Sequence, residues 1–104
     1  MADRIEVLRG LLARNPDDMR AHFGLAAEFE KTANWPEVIR CLEYYLGRTE
    51  DQGNAWGRLA RAHLAVGNLE AAALAYQSGI AAALKHGHPS MAAEFEESLK
   101  DLSA

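Results

Sequence analysis

The segment Trp56-Gly57-Arg58-Leu59-Ala60-Arg61-Ala62-His63, with the turn Gly67-Asn68 and the run Ala72-Ala73-Leu74-Ala75-Tyr76 after it, decides how this chain is read. At an offset of 34 residues it falls on His22-x2-Leu25-Ala26-x2-Phe29, then Ala33-Asn34, then Val38-x3-Leu42. Leu25 meets Leu59, Ala26 meets Ala60, Ala21 meets Ala55 and Asn34 meets Asn68. The apolar pairs Leu42/Tyr76 and Leu46/Ile80 keep step. A period of this length is one helix, a turn and a second helix. Such a unit has too little core to stand alone, so neighbours stack.

Working outward, the apolar spacing predicts six helices and no strands. Alanine is abundant, and β-branched residues never alternate with polar ones over a strand length. The first helix is expected over 3–14, with Ile5, Leu8 and Leu12 as its stripe and Val7 and Leu11 widening it. Asn15-Pro16-Asp17-Asp18 stops it, Pro16 suiting a first helical turn and the acids suiting the positive end of the next helix. The second helix is expected over 18–32. Asn34 is the expected cap of a third that runs to Leu46, where Gly47 reads as a left-handed stop. A polar turn leads to a fourth helix over 54–66. Gly67 relieves a positive φ before the fifth, over 69–85. His86-Gly87-His88-Pro89 breaks it, and the sixth spans 90–102 with Met91, Phe95, Leu99 and Leu102 on one stripe. The connections are short, so successive helices are expected to be antiparallel neighbours.

The pattern of a large aromatic, leucine, a small residue and an aromatic, then alanine and an aromatic on the second helix, resembles the tetratricopeptide repeat. The small residues Ala26, Ala60 and Ala72 let paired helices approach closely. Pro16 falls where a preceding repeat's proline would stand, and Ile5, Leu8 and Leu12 keep the register of Ile39, Leu42 and Leu46. The N-terminal helix is then the second half of a missing repeat, and Arg4 takes the place of Val38 and Ala72. The resemblance implies an all-α, right-handed solenoid of α-hairpins: a half-repeat over 3–16, repeats over 19–52 and 53–86, and a capping helix over 88–104. His22, Ala33, Val38 and His63 depart from the pattern. In strict register Ala93, Glu94 and Glu97 would face inward on the last helix. Its apolar stripe lies elsewhere, so a rotated cap is expected. A generic helical bundle is the competing reading.

The resemblance also implies a concave groove lined by the first helix of each hairpin. Its positions are Arg20, Phe23, Ala27, Glu30 and Lys31, then Asn54, Gly57, Arg58, Arg61, Leu64 and Ala65. Arg20, Arg58 and Arg61 have the planar fork that suits a carboxylate; against this stands a solvated face with local ion pairs. Phe23 and Leu64 offer an apolar anchor for a partner, unless the last helix covers them. The Lys/Asn clamp of some family members is not reproduced, because Phe23 and Ala27 hold those places. Val7 and Leu11 mark a self-association surface if no helix packs outside the first one. Trp35, Tyr44 and Tyr45 suit a binding patch or inter-repeat packing, and Trp56 is expected in the core.

With 104 residues, a net charge of −4, 49% hydrophobic and 25% charged residues, the chain reads as one soluble globular domain. The acidic balance argues against nucleic acid or an anionic membrane as partner. The single Cys41 forms no internal disulfide, and Met1-Ala2-Asp3-Arg4-Ile5-Glu6 is charged where a leader would be apolar, so the cytoplasm is the expected compartment. His86-x-His88 supplies too few ligands for a metal. No nucleophile elbow, phosphate loop or zinc motif occurs, and no cofactor is expected. The expected function is non-catalytic: a protein- or peptide-binding adaptor, or, as the alternative, a homodimerising unit of a larger assembly.

Overall fold

In a computed structural model, the structure describes residues 3–103. The leader reading at Met1-Ala2, and the last residue of the expected cap, Ala104, lie outside them. The described residues form α1 (Arg4–Arg14), α2 (Met19–Lys31), α3 (Trp35–Leu46), α4 (Asn54–Ala65), α5 (Leu69–Lys85) and α6 (Pro89–Ser103), with no strand among them. The chain divides between Thr49 and Glu50 into two compact units. In the first, α1 packs on α2 and α2 on α3; in the second, α4 packs on α5 and α5 on α6.

The helix boundaries follow from local chemistry. Asp3 accepts from the Glu6 N–H at 2.9 Å, Asp18 from Ala21 at 3.2 Å and Asn68 from Ala71 at 3.2 Å, each satisfying an orphan donor. Gly53 precedes α4 with no side chain to offer. Asp51 substitutes for it, its carboxylate accepting from the N–H groups of Gly53 at 2.8 Å and Ala55 at 2.9 Å. Three starts and stops differ from the sequence expectation. Pro16 lies in the turn before α2 rather than in its first turn. Asn34 makes no side-chain cap at α3, where Pro36 already removes one unpaired N–H. Gly47 is right-handed, at φ −70°, and the chain leaves α3 through a tight turn in which Gly47 N–H donates to the Glu43 carbonyl at 3.0 Å.

Three other helix ends reverse through a left-handed residue: Ala33 at φ 55°, Gly67 at φ 81° and Gly87 at φ 77°. After each, the next N–H reaches back to close the last turn: Asn34 to Phe29 at 3.0 Å, Asn68 to His63 at 2.9 Å and His88 to Ala83 at 2.7 Å. Ala33 is the strained member, because its Cβ crowds the following carbonyl in that conformation. Ala33→Gly is therefore expected to stabilise the protein by about 0.5–1 kcal/mol in urea unfolding. A neutral or destabilising result would show that the turn relaxes around alanine.

The core repeats as the sequence does. Leu25 and Leu59 are 2% and 5% exposed, and Ala26, Ala60, Val38 and Ala72 are fully buried. Phe29 and His63 match as buried residues, as do Leu42 and Tyr76. Alanines at the contact bring helix axes close, and the larger partners fill the space around them. Leu8 anchors α1 against Gly24, where an added Cβ would lie 3.3 Å from a Leu8 methyl. Trp56 is half-buried rather than enclosed in the core.

Candidate functional site

On α2, Arg20 is exposed, and Phe23, Ala27 and Glu30 are half-buried. Phe23 does not stand alone: the Tyr45 ring of α3 lies 4.9 Å from its own, centre to centre. The residues immediately before these two form a second pile. His22 is buried and meets the Tyr44 ring at 4.2 Å, and the Arg48 guanidinium covers that ring at 3.6 Å. Tyr44 donates its hydroxyl proton to Asp17 at 3.2 Å. His22 Nε2 lies 2.9 Å from the Pro16 carbonyl, which only accepts, so that nitrogen carries the proton. Sequence reading separated Phe23 from Tyr45 and missed their pairing. The only signal for it was the aromatic content of α3.

On α4, Asn54 and Arg61 are exposed, and Arg58 and Leu64 are half-buried. Gly57 leaves the expected groove set. Phe95 of α6 lies on it so closely that a Cβ there would sit 2.6 Å from the ring. The last helix therefore covers α4 at Gly57, while Arg61, Asn54 and Ala65 stay exposed. Lys31 is exposed and bound to Glu28 at 2.9 Å. Ala93, Glu94 and Glu97 are exposed on α6, and Ala92 and Phe95 are its buried residues, so this helix does pack out of the strict repeat register.

Val7 is 49% and Leu11 40% exposed. Arg4, in the place of a buried Val38 or Ala72, is largely exposed and lies 3.8 Å from Glu28. Cys41 is fully enclosed, and burial pushes its thiol up, away from the reactive thiolate. Glu37 is drawn below the usual carboxylate range by its hydrogen bond from Arg40, at 2.6 Å.

The two histidines of the α5–α6 turn serve a latch rather than a shared ligand. His88 Nε2 contacts the Gln52 side-chain oxygen at 2.7 Å, and His86 Nε2 lies 3.5 Å from Glu50. Lys85 donates to Glu50, which holds that carboxyl below the ordinary carboxylate range. Among the described residues no three His, Cys, Asp or Glu side chains converge as a metal site. Because the folded-state pKa of Glu50 is depressed, its contribution to stability is present above the unfolded value of about 4.3 and is lost as pH falls through the lower folded value. Glu50→Gln is expected to cost a small amount of stability at pH 7, and the gap to wild type should close in acid and shrink in 1 M salt, about a 3 Å Debye length. A gap that persists unchanged in acid would show that the pairing with Lys85 is not its source.

Among the described residues no helix is long and apolar enough to cross a membrane. No family model matches the chain, and no curated protein does. Solved structures do match. The solution structure of protein BPP2914 from Bordetella parapertussis is 25% identical, with a TM-score of 0.81, over 99% of this chain and 90% of that one. PcrH from Pseudomonas aeruginosa is 22% identical, with a TM-score of 0.80, over 96% of this chain and 76% of that one. PcrH in complex with the chaperone binding region of PopD is 20% identical, with a TM-score of 0.84, over 95% of this chain and 75% of that one. The fold is an all-α, TPR-like helical one.

Proposed function

We propose that this chain is a non-catalytic adaptor that binds a protein segment on its helical hairpins. The observation that carries this reading is the likeness, over nearly the whole chain, to a PcrH structure that holds a region of PopD. The face proposed on α2 is Arg20, Phe23, Ala27 and Glu30; that on α4 is Asn54, Arg58, Arg61 and Leu64. Phe23 with Tyr45 supplies a rigid apolar anchor at low entropic cost. Among the described residues Arg20 and Arg61 are exposed and carry no ion pair, so their guanidinium forks are available to orient a carboxylate-bearing segment. The proposed partner is a peptide or protein, with the cytoplasm as the site of action.

A phage-displayed peptide library panned against the full chain tests this. Selected acidic–apolar peptides should bind wild type and lose at least tenfold in affinity to Phe23→Ala combined with Arg61→Glu, with the circular dichroism melt retained. Binding that survives this pair of substitutions would place recognition elsewhere, and a library that yields no binder would remove the reading.

A second reading is favoured by one specific observation, the exposure of Val7 and Leu11 on α1. On that reading the chain associates with itself through its first helix.

A further inference from the structure

In the repeat register residue 22 falls on Trp56, an aromatic that cannot titrate. The first copy has His22 there instead, a ring that can take a proton, and buries it to 8% exposure. Its Nε2 carries the proton that goes to the Pro16 carbonyl at 2.9 Å, so Nδ1 is the bare nitrogen of the neutral ring. That Nδ1 is buried and has no hydrogen-bond partner among the described residues. An idle lone pair is the milder of two states. A proton on Nδ1 would create a buried N–H with no acceptor, and a buried charge as well.

The groups packed around the ring offer that proton no place. From α3, Tyr44 lies 4.2 Å away, centre to centre, and its hydroxyl already donates to Asp17. The same Tyr44 ring holds the permanent cation of Arg48 at 3.6 Å, which opposes a second cation beside it. In the turn before α2, Asp18 is engaged by the Ala21 N–H, and Asp17 is exposed, where water and salt screen its pull. Neither carboxylate makes a hydrogen bond to Nδ1. From the other side, α1 meets α2 through Leu8 at Gly24. Its Arg4 turns to Glu28, its Arg9 lies over Phe29, and Arg14 is exposed at its end.

We propose that His22 is a proton-operated release for the Phe23–Tyr45 anchor: in mild acid the ring leaves its seat to take up a proton, and the α2–α3 hairpin gives up the geometry that holds a partner. The two ring pairs are coupled through the backbone. Phe23 follows His22 on α2 and Tyr45 follows Tyr44 on α3, the second pair lying 4.9 Å apart. His22 cannot leave without dropping the Pro16 carbonyl and uncovering part of Tyr44. The sign follows from counting protons. A histidine free of the fold binds its proton with a pKa of about 6.5, so falling pH favours the unseated ring, by up to about tenfold per pH unit below that value. Release of a bound segment rests on the reading of α2 as a binding face; the proton response of the hairpin does not.

The test uses the full chain with His22→Phe and His22→Gln, two non-titrating variants of which either suffices once circular dichroism shows it folded. His63, also buried with a partnerless Nδ1, and the two histidines of the α5–α6 turn are common to all three proteins and cancel in the comparison. From pH 7.5 to 5.0 the unfolding constant in urea melts should rise more for wild type than for a variant. The expected excess is about three- to thirtyfold, the ceiling being full exclusion of the proton from the folded state. Ring ¹⁵N NMR of wild type needs no variant: protonation of His22 should coincide with loss of the nuclear Overhauser contact between the His22 and Tyr44 rings. An acidic–apolar peptide selected from the library at pH 7.5 should lose at least threefold more affinity at pH 5.0 with wild type than with a variant. Equal pH dependence of unfolding in wild type and variant, or protonation with the ring contact intact, overturns the proposal. An unfolding excess without an affinity excess overturns the release. A library that yields no binder at pH 7.5 removes the binding reading and the release with it, and leaves the unfolding comparison standing, so the two failures are read apart.

Discussion

Phe95→Ala is expected to destabilise the protein by about 3–5 kcal/mol, the range for emptying an aromatic site in a packed core. Phe95 is 6% exposed and sits in a slot made by two glycines. A Cβ on Gly57 would lie 2.6 Å from its ring, and one on Gly79 would lie 2.9 Å away. Tyr76 closes the slot, its ring 5.6 Å from that of Phe95, centre to centre. These walls are helix backbone and cannot collapse into a void as flexible side chains would, so the cavity persists and the full penalty falls on the folded state. Whole-domain stability is typically about 5–15 kcal/mol, so the variant should lose a large share of it in thermal or urea melts. Gly57→Ala attacks the same slot from the other side and should cost about 1–3 kcal/mol by overpacking. A loss of less than about 1 kcal/mol for Phe95→Ala would mean that α6 is not seated on α4 and α5 through this ring.

Gly53→Ala is expected to cost about 2–4 kcal/mol, because backbone strain and overpacking coincide there. Gly53 has φ 125°, a region L side chains rarely enter. Its added Cβ would stand 2.7 Å from the Met91 sulfur, 3.2 Å from the Gly79 carbonyl oxygen and 3.3 Å from the Ala83 Cβ. The methionine is flexible and can swing away. The Gly79 carbonyl belongs to α5 and cannot. Gly87→Ala is the control that separates the two causes: its φ is 77°, but nothing lies within 4 Å of the new Cβ. It should cost about 1 kcal/mol, from strain alone. Equal losses at the two positions would show that crowding against α5 contributes nothing at Gly53.

Much of this architecture was legible in the residues. The bounds of α5, Leu69–Lys85, match the expectation, because Asn68 caps one end and Gly87 turns the chain at the other. The repeat pairs Leu25/Leu59 and Ala26/Ala60 are buried alike because both helices of a hairpin meet at them. Local chemistry and a fixed period are properties of short stretches of chain. Some of the readings that failed depended on partners far away in sequence. Gly57 was assigned to the groove by register alone, and only the seat of Phe95, carried by a helix outside the repeat register, shows it is covered. The latch of Glu50 to Lys85 and Gln52 to His88 joins residues with no shared periodicity. Gly47 was read as a left-handed stop from its residue type, yet glycine permits that conformation without requiring it. Ala33, in contrast, adopts it against its own preference, because the 34-residue period places it where Gly67 stands in the next copy.

The central proposal is that this chain binds a protein segment, and an amide NMR titration with a library-selected peptide tests it most directly. The account predicts shifts that saturate and concentrate at Arg20, Phe23 and Ala27 on α2 and at Arg58, Arg61 and Leu64 on α4. Shifts confined to Leu69, Ala73, Leu99 and Leu102, or none at saturating peptide, would contradict it.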